Sequence, residues 1–256
     1  QEYAAQAAQG LNLYSDPTCA KLNEKMAQTL GVEPDEILFT NGSDDILNFA
    51  FMAFCDGKTG AAFPDITYGF YPVFAALNGI DYVEIPLRED FTINVADYIG
   101  LGRTIFIANP NAPTGIQVPR TDIQRLLDAN PDRVVIVDEA YMEFADNASV
   151  MDLVENYPNM MVLKTLSKAF GLAAARLGFA VSNSTLIHAL KAAKSPYNVN
   201  TMSQIVGSII FDHPEYINEC IAKIRASRDA LYNDMLALKE RQPKIKSLMN
   251  TKSNFV

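Results

Sequence analysis

Short apolar runs that end in polar or turn-forming residues alternate with helix-like stretches along this chain. Residues 104–108, 133–137 and 160–163 have the length and the apolar, β-branched content of buried strands. Helical spacing of apolar residues follows them, for example over 121–129 and 184–193. The alternation predicts an α/β fold, a three-layer sandwich whose mainly parallel sheet lies between helices. Ligands of such sheets bind beyond the carboxyl ends of the strands.

The last part of the chain has a different pattern. Residues 214 to about 239 read as one long helix, and residues 252–256 read like the opening of a strand. We therefore expect a large domain over 1–213, with 1–14 as an N-terminal segment, and the start of a smaller α+β C-terminal domain over 214–256. Because the chain begins with Gln1 and stops in this strand-like stretch, we expect a portion of a longer polypeptide.

Net charge and composition restrict the classes of partner that the protein is expected to bind. The 256 residues carry a net charge of -9, which argues against broad binding of nucleic acid or of anionic membranes. No apolar run reaches the roughly 18 residues that a membrane-spanning helix needs, and no signal peptide is visible. We expect a protein that binds neither nucleic acid nor membrane.

The cysteines and histidines are few and scattered. Cys19, Cys55 and Cys220 form no close pair, so we interpret them as small apolar residues of a reducing compartment, and we expect a cytoplasmic protein. His188 and His213 have no neighbour at the spacing of metal ligands. We expect no metal site, and with only these two histidines the sequence gives little support for a Ser-His-Asp mechanism.

Four segments with reactive or ligand-binding side chains follow predicted strands. They are Gly42-Ser43-Asp44, the loop 109–115, the segment 138–141 and the segment 165–168. Because the carboxyl ends of parallel strands share one edge of the sheet, we expect these segments to converge. Their convergence is the main structural inference from the sequence.

Each segment has a functional and a structural interpretation. Gly42-Ser43-Asp44 opens a predicted helix and suits a phosphate, or it is an ordinary N-cap. Asp138 ends an apolar strand, where a partly buried carboxylate is stabilised by a cationic ligand. Its structural interpretation is a helix cap or an ion pair within the protein. Thr165, Ser167 and Arg176 supply donors for one anion, or they form a capped turn beside a surface arginine.

Lys168 is the remaining reactive group. A lysine in apolar surroundings can have a lowered pKa and become a nucleophilic amine, or it can extend its ammonium to water. Together, these segments suit a molecule with a phosphate, a protonated ring nitrogen and an aldehyde. Pyridoxal phosphate has all three. Tyr68 follows a strand and either stacks on such a ring or packs in the core.

An ordered set of motifs resembles the fold-type I pyridoxal-phosphate aminotransferases, and within them the histidinol-phosphate aminotransferases. The set is TNGSDDIL, PDITYGFY, NPNAPTG, VDEAYMEF, TLSKAFGLAAARLGF and PYNVN, and the resemblance covers nearly the whole chain, from 11–14 to 254–256. It implies the large-domain fold of that group, with pyridoxal 5'-phosphate as cofactor.

The resemblance implies roles for single residues. Lys168 bonds to the cofactor aldehyde and then moves the substrate proton. Asp138 pairs with the ring nitrogen, Tyr141 binds the ring's phenolate oxygen, and Tyr68 stacks on the ring. The backbone N–H groups of Ser43 and Asp44, in the turn after Gly42, bind the phosphate. The side chains that complete its binding site are Thr165, Ser167 and Arg176. Tyr14 reaches the partner subunit's cofactor in a homodimer with composite sites.

Two departures from the family pattern stand out. The family has Asn before Pro-Thr-Gly, where this chain has Ala112, so Asn111 substitutes for that asparagine or Tyr141 acts alone. Most of the small domain, which normally carries an arginine for the substrate's carboxylate or phosphate, has no counterpart in 1–256.

The resemblance implies transfer of an amino group between histidinol phosphate and 2-oxoglutarate by ping-pong steps, giving imidazole acetol phosphate and glutamate. The generic reaction is better supported than the substrate. Aromatic amino acids are the nearest substitute, and a decarboxylase on the same scaffold would share Lys168 and Asp138. A cofactor-binding regulatory domain without catalysis is an alternative of a different class.

Overall fold

Seven helices and seven strands form the part of the chain that the structure describes. The structure is a computed structural model, and it describes residues 10–256, so the first nine residues of the predicted N-terminal segment lie outside it. Helices α1 to α7 are Ala20–Leu30, Ser43–Phe54, Tyr71–Leu77, Arg120–Ala129, Ser184–Ala193, Thr201–Ile210 and Pro214–Arg241. Strands β1 to β7 are Ile37–Thr40, Ala61–Pro64, Tyr82–Ile85, Thr104–Ala108, Val135–Asp138, Met160–Thr165 and Gly178–Ser182.

The strands form one sheet in the order β1-β7-β6-β5-β4-β2-β3. Strands β2 to β6 run parallel to one another, while β7 pairs antiparallel with both β6 and β1. The prediction of a mainly parallel α/β sheet is confirmed. Because β7 runs the other way, its first residue, Gly178, lies beside Thr165 at the end of β6.

Alternate residues of each strand pack on opposite faces of the sheet, as the two-residue period of a strand requires. Ile136 of β5 packs with α2, α3 and α5 on one face, whereas Val135 and Val137 pack with α4 on the other. On the same face as α4, helix α1 packs against strands β1 and β7 through an apolar cluster that includes Leu22. The sheet is therefore buried on both faces, and side chains that bind a ligand are expected at its edges and at the ends of its strands.

Three boundaries differ from the sequence-based expectation. The sequence predicts a helix over residues 68–77, but α3 begins at Tyr71, with Pro72 in its first turn, where a residue without an N–H is tolerated. The sequence predicts a strand over residues 176–181, but β7 begins at Gly178, because Arg176 has a φ of 50° and cannot be part of a strand. Residues 252–256 do not open a strand: the Lys252 N–H donates to the Gly115 carbonyl, and this segment meets a loop with which it forms no ladder.

Residues 214–241 form the predicted long helix, although the division into two domains stays a prediction. Within residues 10–256, no helix is both long and apolar enough to cross a membrane.

Candidate active site

A cavity of about 170 Å³ opens where β4, β5 and β6 end. Nine of the twelve predicted site residues line it: Ser43, Asp44, Tyr68, Asp138, Tyr141, Thr165, Ser167, Lys168 and Arg176. The first turn of α2 and the segments after β5 and β6 supply most of them. The expected convergence of segments at one sheet edge is therefore present.

Positive groups gather around the first turn of α2. Gly42 precedes this helix with a φ of 92°, a backbone conformation that favours glycine. A Cβ on Gly42 would lie 2.6 Å from Nη2 of Arg176, so only a hydrogen atom fits between the helix start and the guanidinium. The free N–H groups and the positive end of the helix dipole face the same place as Arg176. This arrangement fits a phosphate group.

We name the first turn of α2 and the Arg176 guanidinium the anion cradle. The antiparallel strand β7 brings the anion cradle close to the sheet. A Cβ on Gly178 would lie 2.4 Å from the Ser43 backbone nitrogen, so a side chain here would push α2 away. Across the ladder from Gly178 lies Thr165, whose Oγ1 accepts from the Ser167 N–H at 3.2 Å. The hydroxyl-bearing turn after β6 is therefore held against the start of α2.

A carboxylate of Asp44 occupies part of this region. Its Oδ2 lies 3.5 Å from Nη2 of Arg176, and its Oδ1 accepts from the Tyr68 hydroxyl at 2.9 Å. The Arg176 side chain is 44% exposed and the Asp44 side chain 43% exposed, so the pair is weak and open to exchange with an incoming anion.

Asp138 is the most unusual ionisable group of the cavity. It is buried at the last position of β5, where its Oδ1 accepts from the Ala140 N–H at 3.0 Å and its Oδ2 from the Tyr71 hydroxyl at 3.3 Å. Burial raises the pKa of Asp138 from the ordinary 3.8 to about 7, although both hydrogen bonds lower it. No cation among residues 10–256 forms a salt bridge with it. A protonated ring nitrogen would supply the missing positive partner.

Tyr71 is a site residue that the sequence reasoning missed. It is fully buried, and its hydroxyl is the one side-chain donor to Asp138 in the described part of the chain. The signal was present, because Tyr71 follows Tyr68 by three residues and so can point toward the same region as a helix begins. A tyrosine in an apolar helical pattern reads as core, which is where most of its ring lies.

The side chain of Lys168 also lines the cavity. Its Nζ is 5.4 Å from the centre of the Tyr141 ring, within the range of a cation–π contact. Tyr141 also meets the ring of Phe255 edge-on, at 5.3 Å between centroids. One cavity thus holds an amine, a phenol, a buried carboxylate and an anion cradle, and these fit the aldehyde, phenolate, ring nitrogen and phosphate of pyridoxal phosphate.

Asn111 does not enter the cavity. Its amide nitrogen donates to the Ile66 carbonyl at 2.9 Å and to the Thr114 hydroxyl at 3.1 Å, and its Oδ1 accepts from the Thr67 hydroxyl at 2.7 Å. Ala112 lines the cavity instead. Asn111 is therefore bound within its own loop, and the predicted role of Tyr141 or Asn111 at the phenolate oxygen stays a prediction.

Gly42 and Tyr14 are the other predicted residues that do not line the cavity. Gly42 acts through the turn that opens α2. Tyr14 is 83% exposed and stacks on Tyr197, with 4.6 Å between ring centroids. Its predicted contact with a partner subunit stays a prediction.

Comparisons with known proteins identify the family to which this chain is similar. The family model described as aminotransferase class I and II matches residues 1–255. The histidinol-phosphate aminotransferase of Brachyspira hyodysenteriae is 38% identical over 249 residues, which are 96% of this chain and 69% of that protein. The enzyme of the same name from Aromatoleum aromaticum is 39% identical over 241 residues, covering 91% of this chain and 67% of that protein.

The fold is also that of solved structures. The histidinol-phosphate aminotransferase of Sinorhizobium meliloti, in complex with pyridoxal-5'-phosphate, superposes with a TM-score of 0.83 at 24% identity, covering 91% of this chain and 65% of that one. At this identity the likeness concerns the fold alone. This chain spans about two thirds of the length of the curated relatives described above.

We predict that the ligand-free protein loses stability as the pH rises because of Asp138. Its pKa is higher in the folded than in the unfolded state, so the folded protein binds more protons between about pH 4 and pH 7, and its free energy of unfolding falls across that range. The full difference corresponds to roughly 4 kcal/mol. Urea unfolding of the wild type and of Asp138→Asn at several pH values measures it. As the pH rises, the free energy of unfolding of the variant should increase relative to that of the wild type. If the two free energies change with pH in parallel, Asp138 is not the group responsible.

We also predict that Tyr71→Phe raises the pKa of Asp138 further, because the variant loses the hydroxyl that stabilises the ionised carboxylate. The fall in unfolding free energy with pH should then extend to higher pH. Tyr98→Phe is the matched control, since Tyr98 is equally buried and its hydroxyl has no hydrogen-bond partner among the described residues. If both variants titrate like the wild type, Tyr71 does not act on Asp138.

Proposed function

Because this chain belongs to the aminotransferase class I and II family, we propose that it is a pyridoxal-phosphate-dependent aminotransferase of histidine biosynthesis. It would exchange an amino group between histidinol phosphate and 2-oxoglutarate, with imidazole acetol phosphate and glutamate as the other pair. The name shared by curated relatives at 38% and 39% identity supports this substrate. The observation that carries the proposal is one cavity lined both by Lys168 and by Asp138, a buried carboxylate that forms no salt bridge with any described residue.

The described residues would hold the cofactor at three points. The backbone N–H groups of Ser43 and Asp44 and the Arg176 guanidinium would bind its phosphate, together with the hydroxyls of the turn after β6. Asp138 would accept from the ring nitrogen and so keep it protonated. Tyr141 would donate to the phenolate oxygen. For the phosphate to bind, Arg176 must exchange its contact with the Asp44 carboxylate for one with the anion.

Lys168 is the residue that moves protons. When bound, pyridoxal phosphate supplies an electron sink that stabilises negative charge at the substrate's α-carbon. Nζ of Lys168 would take the proton from that carbon and deliver it to the cofactor, and in the second half of the exchange it would move a proton in the opposite direction. The Asp138 carboxylate acts throughout as a fixed negative charge, and the Tyr71 hydroxyl holds one of its oxygens in place.

We propose a homodimer with composite sites. Three exposed apolar side chains, Phe70, Val73 and Leu77, lie three and four residues apart at the start of α3 and along it, with exposed fractions of 50%, 41% and 73%. This spacing places them on one side of the helix. A contiguous apolar stripe in water favours association, and Phe70 stacks on Tyr68 of the cavity wall. Tyr14, largely exposed, is available to reach a partner's cavity.

We propose the cytoplasm as its compartment. All three cysteines are free, and Cys19 and Cys55 are buried, which suits a reducing environment.

We predict that the purified protein with pyridoxal phosphate shows a visible absorbance band that histidinol phosphate changes and 2-oxoglutarate restores, with glutamate formed. Lys168→Ala should lower turnover at least about a hundredfold, because it removes the positioned base. Lys223→Ala, at an exposed position of α7, is the control and should keep the wild-type rate. The measurements are absorbance and glutamate formation.

The outcomes separate the alternatives. A band that responds to an aromatic amino acid instead of histidinol phosphate would change the substrate, and release of CO₂ from an amino acid would indicate a decarboxylase. A band that responds to neither substrate would favour a regulatory cofactor-binding protein. Absence of any band with added pyridoxal phosphate would contradict the whole proposal.

We predict that Val73→Glu combined with Leu77→Glu converts the dimer to a monomer, because two carboxylates cannot be buried unpaired in an apolar interface. Light scattering after size-exclusion chromatography measures the mass. Lys223→Ala again serves as the control. A dimer that survives the substitution would place the interface elsewhere, and a monomeric wild type would contradict the homodimer.

A further inference from the structure

A lysine lies buried between two carboxylates on the side of the sheet end that faces away from the cavity. Nζ of Lys164 is 2.7 Å from Oε1 of Glu143 and 3.2 Å from Oε2 of Glu139. The Glu139 side chain is fully buried, and the Lys164 side chain is 11% exposed. We name these three residues the Lys164 cluster. None of them was predicted as part of the site.

The Lys164 cluster lies directly behind two cavity residues. Glu139 follows Asp138, and Lys164 precedes Thr165, at the ends of the neighbouring parallel strands β5 and β6. The Glu139 N–H donates to the Leu163 carbonyl at 2.9 Å, which continues the ladder by one step. Because successive residues of extended chain point to opposite sides, Asp138 and Thr165 face the cavity while Glu139 and Lys164 face each other on the other side.

The same ammonium holds the segment that carries Tyr141. Glu143 lies two residues after Tyr141, in the short 3-10 turn Met142–Phe144. Glu139 is fixed in addition by the Val150 N–H, which donates to Oε1 at 2.8 Å, and by the Ser149 hydroxyl, which donates to Oε2 at 2.5 Å. Lys164 thus joins the chain segments that present Asp138, Tyr141 and Thr165 to the cavity.

The charges of the Lys164 cluster give this junction its rigidity. The two carboxylates raise the pKa of Lys164 against the effect of burial, so the ammonium stays charged. On the cavity side of the strands, the charged residues are Asp44, Asp138, Lys168 and Arg176. A buried ion pair is no more stable than well-packed apolar residues, but it holds its partners in a defined geometry.

We propose that Lys164 and Glu143 are positioning residues, which set the place of Tyr141 and of the strand ends relative to the cofactor site. This inference rests on the proposed function, because its effect is expressed in how pyridoxal phosphate is held. The two residues contact neither cofactor nor substrate. They act through the backbone of the segments that do.

Glu143→Gln and Lys164→Met test this in the purified protein. Glu143→Gln keeps the shape of the side chain and removes its charge, while Lys164→Met removes the ammonium with little change in length. Both should bind pyridoxal phosphate about tenfold more weakly, the effect of losing one hydrogen bond between charged groups. They should also change the visible circular dichroism of the bound cofactor, which depends on its orientation.

Ser182→Ala is the matched control. The buried Ser182 hydroxyl donates to the carbonyl of Met160 at 2.6 Å, and Met160 is the first residue of β6, at the opposite end of that strand from the cavity. Its loss should lower the melting temperature without changing the dissociation constant or the dichroism. If Lys164→Met does not fold, Glu143→Gln decides the question alone.

Two negative results are distinguishable. If the variants lose only thermal stability, as Ser182→Ala does, and bind the cofactor with the wild-type dissociation constant and dichroism, the Lys164 cluster is structural and the inference is wrong. If the wild type itself gives no visible signal with pyridoxal phosphate, the proposed function fails first, and the inference fails with it.

Discussion

Burial of Asp138 at the end of β5 removes water from a carboxylate, and no cation among the described residues lies beside it. The rest of the cavity is arranged around this uncompensated charge. The central position of β5 keeps water away, and the Tyr71 hydroxyl and the Ala140 N–H fix both oxygens. A ligand with a protonated ring nitrogen is therefore bound more tightly than its neutral form, so that ligand binding and ligand protonation support each other.

The reactive residues could be predicted because their chemistry is visible in the sequence. Lys168, Asp138 and Gly42-Ser43-Asp44 each follow a strand-like run, and the parallel sheet brings such positions together. Tyr71 and Lys164 could not be assigned in this way, because their roles depend on partners that are distant in the sequence, such as Asp138 for Tyr71. The orientation of Asn111 likewise depends on contacts with Ile66 and Thr67, which only the folded loop reveals.

The direction of β7 was not predicted, although the chain contains a clue to it. A parallel return to the sheet needs a crossover of a dozen or more residues, usually a helix. Residues 166–177 reach only the lower limit of that length and contain a single 3-10 turn, Ala173–Ala175, in place of a crossover helix, and β7 comes back antiparallel. As a result Arg176 lies just before its strand, whereas Asp138 lies at the end of its own strand, and both reach the same edge of the sheet.

The missing side chain of Gly178 has a consequence for how proteins of this fold can diverge. The gap between β7 and the first turn of α2 is set by a glycine that lies beneath the anion cradle and presents no side chain to it. A larger residue there would move the helix start outward and widen the space for an anion, while every group that binds the anion kept its identity. The size of the acceptable anion is thus controlled from below the binding surface, where a comparison of ligand-contacting residues alone would find no change.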